Sequence, residues 1–306
     1  LQNNNARAQR VPTRSARVLD NQIRNLAEYR AGARTLTSLP RFVLVELTRG
    51  CNLVCSMCRS SKVPVAGMSM EPAMLRKVEE QLFSTAELVD LRGWGESLLL
   101  PDFPQILRRA AATAGAIRVV SNLSLRCQPA IEQLCAVHAY VAASIDSAND
   151  DVLRQLRTGV NPRLIRSNLK QLAELYRRKW GTTERIWIQA TLQRPACGNL
   201  YRLADLASDC GLSQIRLSAV SVSPTSPLSL KESAAQVDDA ITELVSRART
   251  LDVQVVGLTA LGSTPVAPQS APCFHPWGYA CITYDGRVGY CDHLIGPHFD
   301  ALILGD

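Results

Sequence analysis

Between Arg41 and Val220 the chain alternates short apolar runs with longer stretches in which apolar residues recur every three to four positions. A short run bounded by turn residues marks a strand, and a 3.6-residue recurrence marks a helix with one buried face. Strands are therefore expected near residues 43–47, 88–91, 117–120, 140–145, 186–192 and 214–217. Helices are expected between them, clearest over 72–82, 131–135, 163–179 and 200–210. Six such units in succession predict an α/β fold with a parallel sheet. The periodicity alone suits a doubly wound sheet as well as an incomplete barrel. We read a partial (β/α)6 TIM-like barrel, in which chemistry gathers at the carboxyl ends of the strands.

The flanks carry their own pattern. Residues 18–29 form an amphipathic helical stretch inside an Arg-rich segment. After the sixth unit, residues 222–227 are rich in Ser and Pro and read as a loop, followed by a helix over 232–251 and a strand over 253–256. The Pro, Ser and Thr residues of 262–272 mark a boundary. Asp285-Gly286, between the β-rich runs 280–284 and 287–290, marks a hairpin. The expected organisation is a basic N-terminal extension over 1–40, a barrel over 41–262 and a small cysteine-bearing module over 263–306.

The net charge of +7 raises the question of nucleic acid, but eight Arg against two acids fall between Leu1 and Phe42 and the remainder is nearly balanced. No zinc-finger or RNA-binding motif accompanies this arm, so it is read as solvated surface and no nucleic-acid partner is expected. No run approaches the roughly 18 apolar residues that cross a membrane, and the first 30 residues hold no signal-peptide core. A cytoplasmic location without a membrane partner is the expectation. The chain begins with Leu and stops in mid-pattern at Gly305-Asp306, so we also expect a fragment of a longer protein. Ten cysteines are many for a reducing compartment, where clustered thiols bind metal more often than they pair. Cys127, Cys135, Cys197 and Cys210 lie scattered in apolar or helical contexts that suit inert buried thiols.

Cys51, Cys55 and Cys58 instead form a C-x3-C-x2-C triplet in the loop expected after the first strand. Thiolates are soft ligands for zinc or an iron–sulfur cluster, both of which usually take four ligands, so three leave one position open. The triplet alone leaves zinc standing. Together with Gly93-Trp94-Gly95-Glu96-Ser97-Leu98 after the second strand, it resembles the radical S-adenosylmethionine (SAM) superfamily, in which that turn reads Gly-Gly-Glu-Pro-Leu. Trp94 and Ser97 depart from the pattern, Gly95 and Glu96 keep it, and Gly93 matches it weakly. The resemblance implies a [4Fe–4S] cluster on Cys51, Cys55 and Cys58. Its free iron would chelate the amino and carboxylate groups of SAM and pass an electron to the sulfonium, giving a 5′-deoxyadenosyl radical that abstracts hydrogen from carbon. It also implies cofactor contacts from Met57 near the adenine and from Gly93, Gly95 and Glu96 near the amino group. Asn122 (beside Ser121), Ser144 and Asp146 would lie near the ribose and carboxylate, and Arg157 near the carboxylate. The family's glycine-rich adenine contact is not recognisable around residues 189–192. Taken singly, Ser144 and Asp146 equally suit helix caps, and Arg157 a solvated helix position.

Cys273, twelve residues, then Gly286-x4-Cys291 resembles the opening of the SPASM or twitch module, which implies an auxiliary [4Fe–4S] cluster with Cys273 and Cys291 as its first ligands. The other ligands of such modules come from further downstream, and this chain ends fifteen residues after Cys291. Cys281 suits burial in a strand, and His275 and His293 suit hydrogen-bonding roles. The implied activity is oxidation or crosslinking of a peptide or protein, served by a reducing electron donor such as flavodoxin or ferredoxin. The resembling families also include sugar and aminocyclitol dehydrogenases and epimerases acting on small molecules. In an epimerisation, Cys197, expected on the active rim, would donate hydrogen to the substrate radical. Methylation or methylthiolation has less support. A non-catalytic iron–sulfur or zinc protein is the rival of a different class.

Overall fold

In the computed structural model, which describes residues 15–58, 68–258 and 272–291, the apolar runs become strands of one mixed sheet. The strands are β1 (Phe42–Val45), β3 (Leu88–Leu91), β4 (Ile117–Ser121), β5 (Tyr140–Ser144), β7 (Ile186–Leu192), β8 (Gln214–Ala219), β9 (Gln254–Gly257), β10 (Tyr279–Ile282) and β11 (Val288–Gly289). A separate two-stranded pair joins β2 (Val54–Cys55) to β6 (Arg157–Thr158). The main order is β11-β10-β1-β3-β4-β5-β7-β8-β9, parallel throughout except for the β10–β11 hairpin. The six expected strands lie in sequence order from β1 to β8. The sheet extends past them on both edges, with β9 beside β8 and β10 beside β1.

The helices are α1 (Ala16–Arg30), α2 (Pro72–Val78, continued by a π turn over Glu79–Phe83), α3 (Phe103–Thr113), α4 (Gln128–Ala136), α5 (Asp150–Leu156), α6 (Pro162–Trp180), α7 (Arg202–Asp209), α8 (Ala234–Thr250) and α9 (His275–Gly278). Among them α2, α3, α4 and α6 carry Pro in the first turn, where its missing N–H leaves no acceptor unsatisfied and its fixed φ starts the helix. Helix α6 stops at Gly181, whose φ of 75° is the left-handed conformation that ends helices. Helices α3 and α5 were not singled out from the sequence. The buried face of α3, Phe103, Ile106, Leu107 and Ala110, has the helical spacing but follows a 3-10 turn over Ser97–Leu99.

Side chains alternate across the strands, so Val43, Val45, Val89, Leu91, Val119 and Ile188 join the apolar core under the helices. Their neighbours point the other way and are largely polar: Glu46, Asp90, Arg92, Arg118, Gln189 and Arg216. Barrel interiors are usually filled by branched apolar side chains. This one is charged.

The hairpin expected around Asp285-Gly286 is present, with Gly286 at φ 87° and β10 returning into β11. It does not stand apart from the barrel. Strand β10 runs parallel to β1 in the register Phe42↔Tyr279 to Val45↔Ile282. The amphipathic helix expected at 18–29 is α1, and it packs on the same end. Asn25, fully buried, donates to the Trp277 carbonyl at 2.7 Å, Trp277 Nε1 donates to the Ala33 carbonyl at 3.0 Å, and Tyr29 meets Phe274 and Trp277 edge to face. Except for Pro272, the boundary expected over 262–272 lies outside the described residues, as does His293.

Candidate functional site

The cysteine loop leaves β1 and is tied down at both ends. Met70 N donates to the Leu47 carbonyl at 2.8 Å and Arg49 N to the Met68 carbonyl at 2.9 Å. Further on, β2 pairs with β6 so that Cys55 faces Arg157 across the ladder, and Ser56 N donates to the Leu156 carbonyl at 3.1 Å. Between these anchors Cys51 and Cys58 are half-buried and Cys55 is buried, and none of the three forms a disulfide. Burial raises the Cys51 thiol above its ordinary range and pushes Cys55 up to about 11. Three sheltered thiols on one stapled loop fit an iron–sulfur cluster, since metal binding displaces the thiol protons and supplies the charge that burial disfavours. Among the described residues no three His, Cys, Asp or Glu side chains form a cage for a single metal ion. In a cubane cluster each thiolate binds a different iron, a wider arrangement than such a cage.

The strand ends meet this loop. Glu96 N donates to the Gly50 carbonyl at 2.8 Å, next to Cys51. Glu96 is itself buried, and its oxygens accept from Leu98 N at 3.2 Å and Asn122 N at 2.8 Å. Burial raises its carboxyl, and those backbone donors oppose the rise. Asn122, at the end of β4, donates to Asn52 Oδ1 at 3.0 Å and approaches Cys51 Sγ at 3.9 Å. Gly95 admits no side chain, because a Cβ would lie 2.3 Å from the Thr48 carbonyl oxygen; at Gly93 it would lie 2.3 Å from Glu46 Cγ. The turn after β3 is therefore laid directly against the start of the cysteine loop. Met57 packs, partly buried, against the core, and Ser144, half-exposed, ends β5.

Asp146 and Arg157, both expected near the cofactor, are paired with each other. Asp146 is wholly buried and takes Arg157 Nε at 2.8 Å and Nη2 at 2.9 Å. It also accepts from Thr191 N at 2.9 Å and Gln193 Nε2 at 3.3 Å. Burial works against the charge of Arg157, but Asp146 outweighs it and holds the guanidinium above its ordinary value. Asp146 is thus a positioning residue that fixes a cation beside Cys55 and Cys58. Gln193, fully buried within this cluster, and Asn52 were not picked out from the sequence. Their sole sequence signal is adjacency to a strand end or to Cys51.

Cys197 lies half-buried on the 3-10 turn after β7, its thiol directed at the Gln193 carbonyl at 3.7 Å. At the other edge, Cys273 is exposed, Cys291 is half-buried with its sulfur 3.4 Å from His275 Nδ1, and Cys281 is buried in β10. The structure thus sets Cys51, Cys55, Glu96, Asn122 and Arg157 together and leaves Cys273 and Cys291 on the hairpin side.

Comparison with known proteins agrees with this geometry. Residues 45–189 match the sequence profile of the Radical SAM superfamily. A stretch of 118 residues is 30% identical to the AdoMet-dependent heme synthase of Methanosarcina barkeri (strain Fusaro / DSM 804), covering 37% of this chain and 33% of that protein. The fold is similar to that of Streptococcus suis SuiB bound to S-adenosylmethionine (TM-score 0.68, 15% identity, 94% of this chain and 67% of that one). It is also similar to anSMEcpe with bound AdoMet (TM-score 0.62, 17% identity, 87% and 77%). The cysteine triplet and the match over residues 45–189 mark that stretch of the chain as a radical SAM domain, a superfamily whose members use a [4Fe–4S] cluster and S-adenosylmethionine.

Proposed function

We propose that this chain is a radical SAM enzyme that abstracts a hydrogen atom from a peptide or protein substrate and leaves it oxidised or crosslinked. The observation that carries the reading is the stapled loop of Cys51, Cys55 and Cys58, braced by Glu96 and Asn122 on one side and by the Arg157–Asp146 pair on the other. Those three cysteines would hold the cluster. Gly93 and Gly95 leave backbone exposed where the methionine end of SAM would lie, and Met57, Asn122 and Ser144 would line its remainder. When bound, cluster and SAM together supply the one-electron chemistry of hydrogen abstraction. The chain's own residues position them: Glu96 fixes the strand-end turn, and Asp146 holds Arg157 charged and still. Cys273 and Cys291, with His275 beside Cys291, would serve an auxiliary cluster, and the hairpin region from 263 onward would be its module.

The peptide reading is supported by structural neighbours that hold peptides, SuiB with its precursor peptide SuiA and anSMEcpe with the Cp18Cys peptide. The test is anaerobic reconstitution, with iron and sulfide content, EPR and 5′-deoxyadenosine formation under a strong reductant. The unaltered protein is expected to form a cluster and to yield 5′-deoxyadenosine, and the Cys51/Cys55/Cys58 triple-Ala variant to yield none. A cluster that cleaves no SAM would favour a non-catalytic iron–sulfur protein. A peptide product lighter by two hydrogens, against one carrying an added methyl group, separates oxidation from methyl transfer.

A further inference from the structure

We propose that the charged interior of the barrel is a carboxylate-binding site, built around Arg49 and Arg92, that grips an acidic group of the substrate. The proposal rests on the radical SAM reading above and names the chemistry of its substrate.

Arg49 follows β1 and is 94% buried. Its guanidinium is held between two aromatic faces, 5.2 Å from the Trp94 ring and 5.1 Å from the Tyr284 ring, and Nε reaches Glu46 Oε2 at a long 3.4 Å. Its Nη2 is buried with no hydrogen-bond partner. A buried guanidinium nitrogen without an acceptor is costly, and native proteins rarely leave one so. Arg49 lines a cavity of about 60 Å3 together with Glu46, Arg92, Trp94 and Thr283. That is several times the roughly 10–15 Å3 that admits one water. It suits a carboxyl group entering from the strand ends.

The surrounding charge points the same way. Arg92 and Arg118 both donate to a single oxygen of Asp90, and Arg118 Nε is buried without a partner. Across the interior, Arg216 lies 3.9 Å over the Trp187 ring, close enough to Arg118 for the two cations to repel. Four guanidinium groups, Arg49, Arg92, Arg118 and Arg216, thus meet two carboxylates, Glu46 and Asp90. Arg is suited to this task because its planar fork matches a carboxylate with two parallel hydrogen bonds. An interior with an excess of fixed cations attracts anions and disfavours neutral or basic groups. Arg157 is already committed to Asp146 and stands outside this set.

The test is calorimetric titration of the cluster-loaded protein with three probes: acetyl-Glu-Glu-amide, its uncharged counterpart acetyl-Gln-Gln-amide, and glutarate. Tryptophan fluorescence is followed in parallel, since Trp94 and Trp187 stack on two of the arginines. Saturable binding of the acidic probes with no binding of the Gln peptide is expected, weakened about tenfold or more by Arg92→Gln, which removes charge-assisted hydrogen bonds. Arg92 is about one-third exposed, so this variant does not depend on refilling the buried Arg49 site. Arg49→Lys, which keeps the charge and loses the fork, is expected to weaken binding as well. Tighter binding of the Glu peptide than of glutarate identifies an acidic peptide as the source of the carboxylate, and the reverse order a small polycarboxylate. Equal binding of the Gln peptide, or acidic binding unchanged in Arg92→Gln, overturns the proposal. Cluster content and 5′-deoxyadenosine yield of the unaltered protein, read on the same preparation, report separately on the radical SAM reading.

Discussion

A carboxylate that accepts from an Arg fork, a backbone N–H and a Gln amide is fully used, and Asp146 is such a carboxylate. Replacing it with Ala strands Arg157 as a buried cation. We expect Asp146→Ala to lower unfolding free energy by about 3–5 kcal/mol, and Asp146→Ala with Arg157→Met to recover part of that loss. Urea unfolding of the cluster-free protein measures both; a single-mutant loss below about 1 kcal/mol would mean the pair is not buried as described. At Gly95 an added Cβ meets backbone of the cysteine loop, which cannot swing aside, so Gly95→Ala is expected to cost about 1–3 kcal/mol and to reduce iron bound per chain. The triplet, the glycines and Asp146 were legible in the sequence because short motifs preserve their spacing. That Asp146 serves Arg157 was not legible. Those residues lie eleven positions apart, and the β2–β6 pairing that sets Arg157 beside Cys55 involves strands of two residues, too short for any period.

At the scale of elements, the junction between α4 and β5 shows how helix and strand are locked together. His138 has φ 54° and lies stacked on Trp180 at the end of α6, ring centroids 4.0 Å apart, with both ring nitrogens buried and unpaired. Burial first, then nearby Arg185 and Lys179, lowers its pKa to about 4. Above the unfolded-state value of about 6.5 the ring is neutral in both states and its contribution to stability is complete. As pH falls from about 6.5 towards 4, the unfolded chain takes up a proton that the folded chain refuses. Stability then drops, by at most about 1.4 kcal/mol per pH unit from this group. His138→Asn keeps a residue that tolerates left-handed φ, and its urea midpoint is expected to fall less steeply across that window than the parent's. Equal slopes would show that His138 is not the group responsible. The strands around this junction were legible as apolar runs. The charged opposite face was legible only as interruptions, such as Arg118 within Ile117–Ser121, because a run of apolar letters hides which alternate positions point into the barrel.

For the whole molecule, the chain's two described ends decide how the sheet is closed off at its β1 side. Sequence spacing located the hairpin around Asp285-Gly286 and set it in a module apart, over residues 263–306. No local pattern reports that β10 pairs with β1, a contact across more than 230 residues. That pairing covers the outer backbone edge of β1, the strand from which the cysteine loop departs, and an uncovered edge would leave its N–H and C=O groups to water or to another chain. Helix α1 seals the arrangement through Asn25, whose amide also reaches Ser38 Oγ at 2.9 Å. If the hairpin were an independent unit, Asn25→Ala would loosen it alone. Because β10 is a strand of the barrel sheet, we expect Asn25→Ala to lower the stability of the whole by about 1–3 kcal/mol, with unfolding still in one transition. Hydrogen exchange gives the deciding measurement: the amides of β10 and β1 should lose protection together. Loss confined to β10 would return the hairpin to the status of a separate domain and place the cavity lined by Cys281 and Thr283 at a movable interface. Loss shared with β1 makes that cavity a fixed part of the barrel, as rigid as the loop that carries Cys51.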